Sequence, residues 1–337
     1  MTKIDILIPY VNSDDSLWLS DFKSTTNTSL PAPFRFRDWG TLRYLFRAIQ
    51  DNLKFDYNLI LILARESQLP EWVNTKHVRI VYHRDFIPEQ FLPTFNSCTI
   101  ESFLFNIPDL SEQIIYFNDD TFPINPIYIE DLFQYNKPRL HFAEFIKYEP
   151  SIYRNQCRAS IDLISMSLGL GKLAPGQLIV PEHSITPMLR STLLDVKSLC
   201  EIKILNTISV LRKPYNVNQY IYSDYNYFTN NYIDGGCPFL YMELSDNLMI
   251  IKYTINMKTE GAHLMKRKSH LPASEDIFKT SANTSSRQVK VYVDKELSYC
   301  IDEVCPVCGI YTPDGDVCVS CQKIHGIYEP KNTYFEF

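Results

Sequence analysis

The chain is 337 residues long, enough for one large domain or two smaller ones around a sizeable core. Its composition, 45% hydrophobic and 21% charged, is that of a globular protein, and a net charge of −6 argues against coating nucleic acid as its main task. No apolar run reaches membrane-spanning length and the N-terminus lacks a basic-then-apolar leader, so the expected location is cytoplasmic.

Ile4 to Val11 is a near-continuous apolar run bounded by Lys3 and "NSDDS", the pattern of a strand buried on both faces. From Gly40 to Leu53, Leu42, Leu45, Phe46, Ile49 and Leu53 recur at helical spacing. "LILILA" (Leu59 to Ala64) and "VRIVYH" (Val78 to His83) read as strands, and Asn96 to Ile107 as a helix capped by Asn96 or Ser97. Ile114 to Phe117 is a further strand. Strands alternating with helices define an α/β domain with a largely parallel sheet. Residues 150–270 are expected to be mostly helical, with Ser184 to Val196 one helix-like stretch, and to complete the site of a domain spanning 1–280. From residue 281 onward the Ser/Thr-rich stretch Lys279 to Gln288 leads as a linker into a small C-terminal module at about 300–325.

That module is set by its cysteines. Cys305 and Cys308 in "CPVC", and Cys318 and Cys321 in "CVSC", are two C-x-x-C knuckles separated by nine residues. In a chain expected to be cytoplasmic, this spacing reads as four thiolates around one Zn²⁺ ion in a zinc ribbon. Four thiolates leave no open position, so the zinc is structural. The surrounding Asp302, Glu303, Asp314 and Asp316, against Lys323, disfavour nucleic acid as a ligand.

Two strands end in acidic clusters: the first runs into Asn12, Ser13, Asp14 and Asp15, and the strand at 114–117 into Asn118, Asp119 and Asp120. Each cluster alone is also what a turn looks like, since Asn and Asp bond their own backbone there. In open α/β sheets, however, ligands bind outside the carboxyl ends of strands, and Mg²⁺ takes carboxylates plus substrate phosphates. "FRFRDWGTLRY" adds Arg35, Arg37 and Arg43 near a helix start, where guanidinium forks and backbone N–H groups suit phosphate. A nucleoside diphosphate fits that combination.

The stretches "RFRDWGTLRYLFRAI", "LPEWVN", "LPTFNSCTIESFLFNIPDLSE" and "YFNDDTF" together resemble the Stealth family, which includes bacterial capsular polysaccharide phosphotransferases and the animal N-acetylglucosamine-1-phosphotransferase. Its first region is matched in part by Asp5 to Trp18, its second nearly throughout from Arg35 to Pro126. The third is matched more loosely by Ile179 to Leu189 and Leu211 to Tyr222, the fourth weakly by Leu271 to Phe278.

The resemblance implies a Rossmann-like or GT-A-like, mostly parallel sheet with helical additions. It also implies transfer of a hexose-1-phosphate from a UDP-sugar to an acceptor sugar hydroxyl, with release of UMP. Mg²⁺ or Mn²⁺ would assist. The setting would be capsular or other cell-surface polysaccharide synthesis, with peripheral association to a membrane-bound assembly complex at the inner membrane face. By the same resemblance Asp15, Asp119 and Asp120 are metal or catalytic carboxylates. Arg35, Arg37, Asp38, Arg43, Asn96, Ser97, Glu101 and Asn118 hold the donor. His183 is the general base and Arg212 meets the leaving phosphate.

The chain departs from the family at Tyr10 and Ser13, where Trp and Gly are usual, at Cys98, Phe103 and Thr186, where histidines are, and at Asn216, where Asp is common. Two other readings stand beside this one: a conventional metal-dependent glycosyltransferase releasing UDP, and an inactive zinc-ribbon scaffold.

Overall fold

In a computed structural model the described residues are 3–28, 36, 38, 40–119, 121–123, 125–145, 150–174, 176–235, 239–244 and 249–254. Arg35, Arg37, Asp120, the linker, Leu271–Phe278, the expected boundary at 280 and the four paired cysteines lie outside them.

Period-two alternation in the first strand decides the architecture. In β1 (Ile4–Tyr10), Ile4, Ile6, Ile8 and Tyr10 face one apolar cluster and Leu7 the opposite one. β2 (Tyr57–Leu63) divides in the same way, Leu59, Leu61 and Leu63 against Ile60 and Ile62. Both strands are therefore covered on both faces, which is why they read as continuous apolar runs. β3 (Val78–Tyr82) and β4 (Gln113–Tyr116) complete the parallel set, in the order β4-β1-β2-β3. The chain thus moves outward from β1 to β2 to β3 and then returns to the other side of β1, so the strand order reverses between β1 and β4.

Helix α1 (Ser16–Thr26) follows β1, and α2 (Thr41–Asn52) leads into β2. α2 presents Leu42, Leu45, Phe46 and Ile49 to the first cluster, all essentially fully buried. Each such side chain contributes about 1.5–3 kcal/mol by leaving water. Gly40 precedes α2 at φ +69, the left-handed conformation that glycine enters without a Cβ penalty. The expected helix from Gly40 to Leu53 is therefore present with its ends one residue in.

The expected helix from Asn96 to Ile107 is shorter than its pattern. α3 runs Ser97–Ser102, Phe103 leaves it at φ −109 and ψ 9, and a 3₁₀ turn follows over Leu104–Asn106. Phe103 and Phe105 are both buried in the second cluster. In a continuous helix residues two apart do not share a face, so the chain breaks to bury both.

Beyond β4 come β5 (Thr121–Pro123), β6 (Phe133–Gln134), β7 (Lys137–Leu140) and β8 (Phe142–Phe145). Helix α4 (Ile152–Ser167) is followed by β9 (Leu178–Pro181), β10 (Thr186–Leu189), α5 (Arg190–Leu205) and α6 (Tyr220–Phe228), then β11 (Ile233–Asp234), β12 (Phe239–Leu244) and β13 (Met249–Thr254). Among its described residues, the section expected to be helical contains three helices and also five strands. Within it, the helix expected from Ser184 splits into β10 and α5. Pro187 cannot supply the N–H a helix interior needs, whereas an edge strand tolerates it, and β10 is that edge. β10 lies antiparallel on β4, Thr186 opposite Tyr116. The second apolar cluster joins α5 and α6 to the sheet through Leu193, Val196, Ile204, Ile221 and Tyr222.

Smaller sheets flank this core: β12-β13-β5, β11-β7-β6 and β8-β9. Among the described residues no helix is long and apolar enough to cross a membrane.

Candidate functional site at the carboxyl edge of the sheet

The strand order reverses between β1 and β4, and the carboxyl ends of strands at such a reversal are the usual ligand position in open α/β sheets. β1 delivers Tyr10 and the Asn12–Asp15 turn there, and β4 delivers Asn118 and Asp119. The antiparallel run of β10 brings His183 to the same edge, three residues before Thr186 pairs with Tyr116.

On the β2 side, the turn after β1 is held by a side chain that the sequence pattern does not single out. Gln68 is buried and accepts from Asn12 N (2.7 Å) while its amide donates to Asn12 O (2.9 Å) and Asp15 Oδ2 (2.7 Å). Asp15 also accepts from Ser67 Oγ (2.6 Å) and, through Oδ1, from Leu17 N (3.0 Å) as the N-cap of α1. Burial pushes the Asp15 carboxyl up, but the hydrogen bonds from Ser67, Gln68, Leu17 and Trp18 outweigh this and hold it below its ordinary value. Both carboxylate oxygens are thus engaged in capping a helix and fixing a turn.

Nearer the reversal, Tyr10 OH donates to Asp38 Oδ2 (2.7 Å), and Asp38 Oδ1 accepts from Gly40 N (2.8 Å). Burial, the bond to Asp38 and the charges of Asp38 and Asp119 raise the Tyr10 phenol, while Arg43 opposes them. Arg43 also lies over the Trp72 ring, 5.0 Å from its centroid. Tyr116 is fully buried, which raises its phenol; the charges of Glu101, Asp119 and Cys98 raise it further and Arg212 lowers it. Asp119 therefore acts on two neighbourhoods at once, Asp38 with Arg43 around Tyr10, and Glu101 with Arg212 around Tyr116.

The second neighbourhood is tightly cross-linked. Asn96 caps α3 by accepting from Cys98 N (3.1 Å), and its amide donates to Ser209 O and Asn216 Oδ1, both at 3.0 Å. Phe95 N donates to Val210 O (3.0 Å) and Thr99 Oγ1 to Ser209 O (3.0 Å), so the start of α3 is stitched to the loop before Arg212. Arg212 donates to Ser97 Oγ. Glu101 is buried and accepts from Gln219 N (2.8 Å); burial pushes its carboxyl up, with Arg212 and that hydrogen bond pulling it down.

A four-ring apolar box supports these segments from behind. Trp18, Phe22, Phe36 and Phe95 are all buried and in mutual contact, with Val11 and Leu211 packed against them. Four of these six adjoin a polar segment of the edge: Val11 precedes Asn12, Phe36 lies between Arg35 and Arg37, Phe95 precedes Asn96 and Leu211 precedes Arg212.

His183 sits in an aromatic corner. Its Nδ1 lies 2.7 Å from Tyr220 OH and 3.5 Å from Asn118 Nδ2, and Tyr153 OH donates to Tyr220 OH (3.1 Å). The three rings stand 5.9 to 6.3 Å apart. Neither tyrosine is marked by the sequence pattern, although Tyr220 lies inside "LRKPYNVNQYIY".

The structure thus brings Asp38, Arg43, Ser97, Glu101, Asn118, Asp119, His183 and Arg212 to one edge. Asn96 is there as scaffold, while the hydrogen-bond partners of the Asp15 carboxylate lie in α1 and the 67–68 turn. Among the described residues, no group of three His, Cys, Asp or Glu side chains is arranged to hold a metal ion.

This is an α/β protein whose strand order reverses between β1 and β4, with Asp119, Arg43 and Arg212 all acting on tyrosines near that point. Residues 35–140 match Stealth protein CR2, conserved region 2. The chain is 36% identical over 146 residues to the capsular polysaccharide phosphotransferase WcwK of Streptococcus pneumoniae, covering 41% of this chain and 43% of that protein. It is 36% identical over 124 residues to the exopolysaccharide phosphotransferase cps2G of Lactiplantibacillus plantarum (35% and 36%). With the capsular polysaccharide phosphotransferase LcbA of Neisseria meningitidis it shares 34% identity over 143 residues (40% and 38%). The matches span less than half the length of each of these relatives.

Proposed function

We propose that the chain is a UDP-sugar hexose-1-phosphate transferase acting in capsular or other cell-surface polysaccharide synthesis. The observation that carries this reading is the region-2 match: residues 35–140 supply Asp38, Arg43, Ser97, Glu101, Asn118 and Asp119, and these converge at one sheet edge. The activity the relatives are named for, phosphotransferase, fits an edge that brings carboxylates and guanidinium groups together.

In this reading the acceptor hydroxyl attacks the phosphorus bearing the sugar. The bond from that phosphorus to the bridging oxygen breaks, and UMP leaves with both electrons. Catalysis of this kind is mostly positioning and charge stabilisation. Arg43, with Arg35 and Arg37 of the same segment, takes the donor phosphates, and Asp38 orients the group through Tyr10. Arg212, held by Ser97 beside Glu101, faces the charge developing on the leaving phosphate. Asn118 and His183 flank the reacting centre.

A Mg²⁺ or Mn²⁺ ion would neutralise diphosphate charge when bound. Asp15 is the weaker candidate ligand, because three of its roughly four lone-pair sites already accept hydrogen bonds from Leu17, Ser67 and Gln68. Asp119, with its sequence neighbour Asp120, fits better as the protein's share of a coordination sphere completed by phosphate and water. The cysteine quartet is read as a structural Zn²⁺ site in a module separate from this chemistry.

Product identity tests the proposal. The protein is incubated with a panel of UDP-sugars, Mg²⁺ or Mn²⁺ and an oligosaccharide acceptor, and the nucleotides are separated by chromatography. Acceptor-dependent UMP is expected. UDP in its place would make the protein a conventional glycosyltransferase and refute attack at phosphorus.

A further inference from the structure

We infer that Tyr220, braced by Tyr153, holds His183 as the neutral tautomer with its proton on Nε2, so that His183 works as a hydrogen-bond donor and not as the base. The inference deepens the proposed transfer reaction and, in its catalytic part, rests on it.

Two donors converge on one nitrogen. Tyr153 OH donates to Tyr220 OH, which leaves the single Tyr220 proton to point along its 2.7 Å contact to His183 Nδ1. Asn118 Nδ2 approaches the same nitrogen at 3.5 Å, and an amide nitrogen only donates. A proton on Nδ1 would face both. Nδ1 is therefore the acceptor, and the neutral ring carries its hydrogen on Nε2. Tyr220 is fully buried and its ring stands nearly perpendicular to the imidazole, at 88°, so the contact is held by packing as well as by the hydrogen bond.

A neutral imidazole with Nε2–H cannot accept a proton at Nε2. It can hydrogen-bond a phosphoryl oxygen and stabilise charge that grows there, with no net proton transfer. The proton of the acceptor hydroxyl then passes to another acceptor at the edge, a carboxylate or a solvent water, and not to His183. Tyr220 and Tyr153 touch no substrate in this scheme and are positioning residues.

Three substitutions and one spectrum test it. Glutamine offers an N–H donor but no basic nitrogen, so His183→Gln should keep activity within about tenfold of wild type. His183→Ala should lose about 10²–10³-fold, the usual cost of removing one such donor. Equal loss in both would make His183 a base and overturn the inference. Tyr220→Phe should lower kcat about tenfold, equivalent to one hydrogen bond, with donor KM unchanged.

The tautomer is read directly by ¹⁵N NMR of the full chain labelled at histidine, with His183 assigned from the His183→Gln spectrum. Nδ1 of resting wild type should be unprotonated, and Tyr220→Phe should mix the two tautomers. A protonated Nδ1 in wild type refutes the assignment. Because the spectrum needs no substrate, it stands even if the transfer assay fails for every donor.

Discussion

Phe95 is the position where packing and the candidate site are most directly coupled. Its ring meets Trp18 edge-on at 5.2 Å and Phe22 at 4.9 Å with planes at 74°, and its side chain is only 6% exposed. Each edge-to-face pair contributes about 0.5–1.5 kcal/mol beyond area burial, so Phe95→Leu, which keeps most of the volume, should destabilise by about 1–3 kcal/mol. Phe95→Ala adds a cavity and should cost about 3–5 kcal/mol, a large share of the roughly 5–15 kcal/mol that holds a domain together. Urea unfolding followed by tryptophan fluorescence reads both as a lowered midpoint at unchanged slope. The same measurements on Phe22→Leu and the double variant give the coupling of that pair, expected at about 0.5–1.5 kcal/mol. A coupling no larger than the roughly 0.3–0.5 kcal/mol scatter of independent sites would refute the claim that the box acts as a unit. Phe95 also precedes Asn96, and its backbone bonds Val210. Phe95→Leu should therefore raise donor KM more than it lowers kcat.

Four further outcomes follow from the same contacts. Asp119→Ala should reduce transfer at least about 10²-fold, and near-normal turnover would remove Asp119 from the chemistry. Asp15→Ala should instead cost about 0.5–2 kcal/mol as a lost helix cap. Because the folded Asp15 carboxyl lies below its ordinary 3.8, its stabilisation is complete above that pH and lost as acid titrates the folded group, so urea midpoints of wild type and variant should converge in acid. Asp224 is buried with both oxygens unpartnered among the described residues, and burial raises its carboxyl well above the ordinary value. The native state then holds a proton the unfolded chain has released, so stability falls as pH rises above 3.8, by up to about 1.4 kcal/mol per pH unit; Asp224→Asn should flatten that slope. One zinc per chain is expected by native mass spectrometry, and Cys305→Ser with Cys308→Ser should abolish it without removing transfer.

Much of the parallel core was legible because burial on two faces writes itself as unbroken apolar runs: β1 to β4 and α2 fall within a residue or two of their patterns. α3 was not, since nothing local says that Phe103 and Phe105 must enter the same cluster. β10 was read as helix because its pairing partner, Gln113–Tyr116, lies some seventy residues away in sequence. For the site, short motifs carried Asp119, Asn118 and the Ser97–Glu101 turn. Asp15 is ambiguous for a physical reason: an Asp placed before a helix serves its own backbone as readily as a ligand. Gln68, Tyr153 and Tyr220 were silent because a buried glutamine or tyrosine has no spacing signature. Only the fold shows that they clamp Asn12 and His183.

The antiparallel seat of β10 on β4 also has a bearing on how the chain is made. Synthesis runs from the N-terminus, so β4, with Ile114, Ile115 and Tyr116, exists for some seventy residues of elongation before Leu189 arrives to cover its flank. During that interval the nascent sheet ends in an apolar strand with unpaired backbone groups, the kind of edge that recruits strands from other chains. The same late docking that brings His183 to the candidate site closes this edge. Protection of that edge and assembly of the candidate site therefore depend on the same pairing.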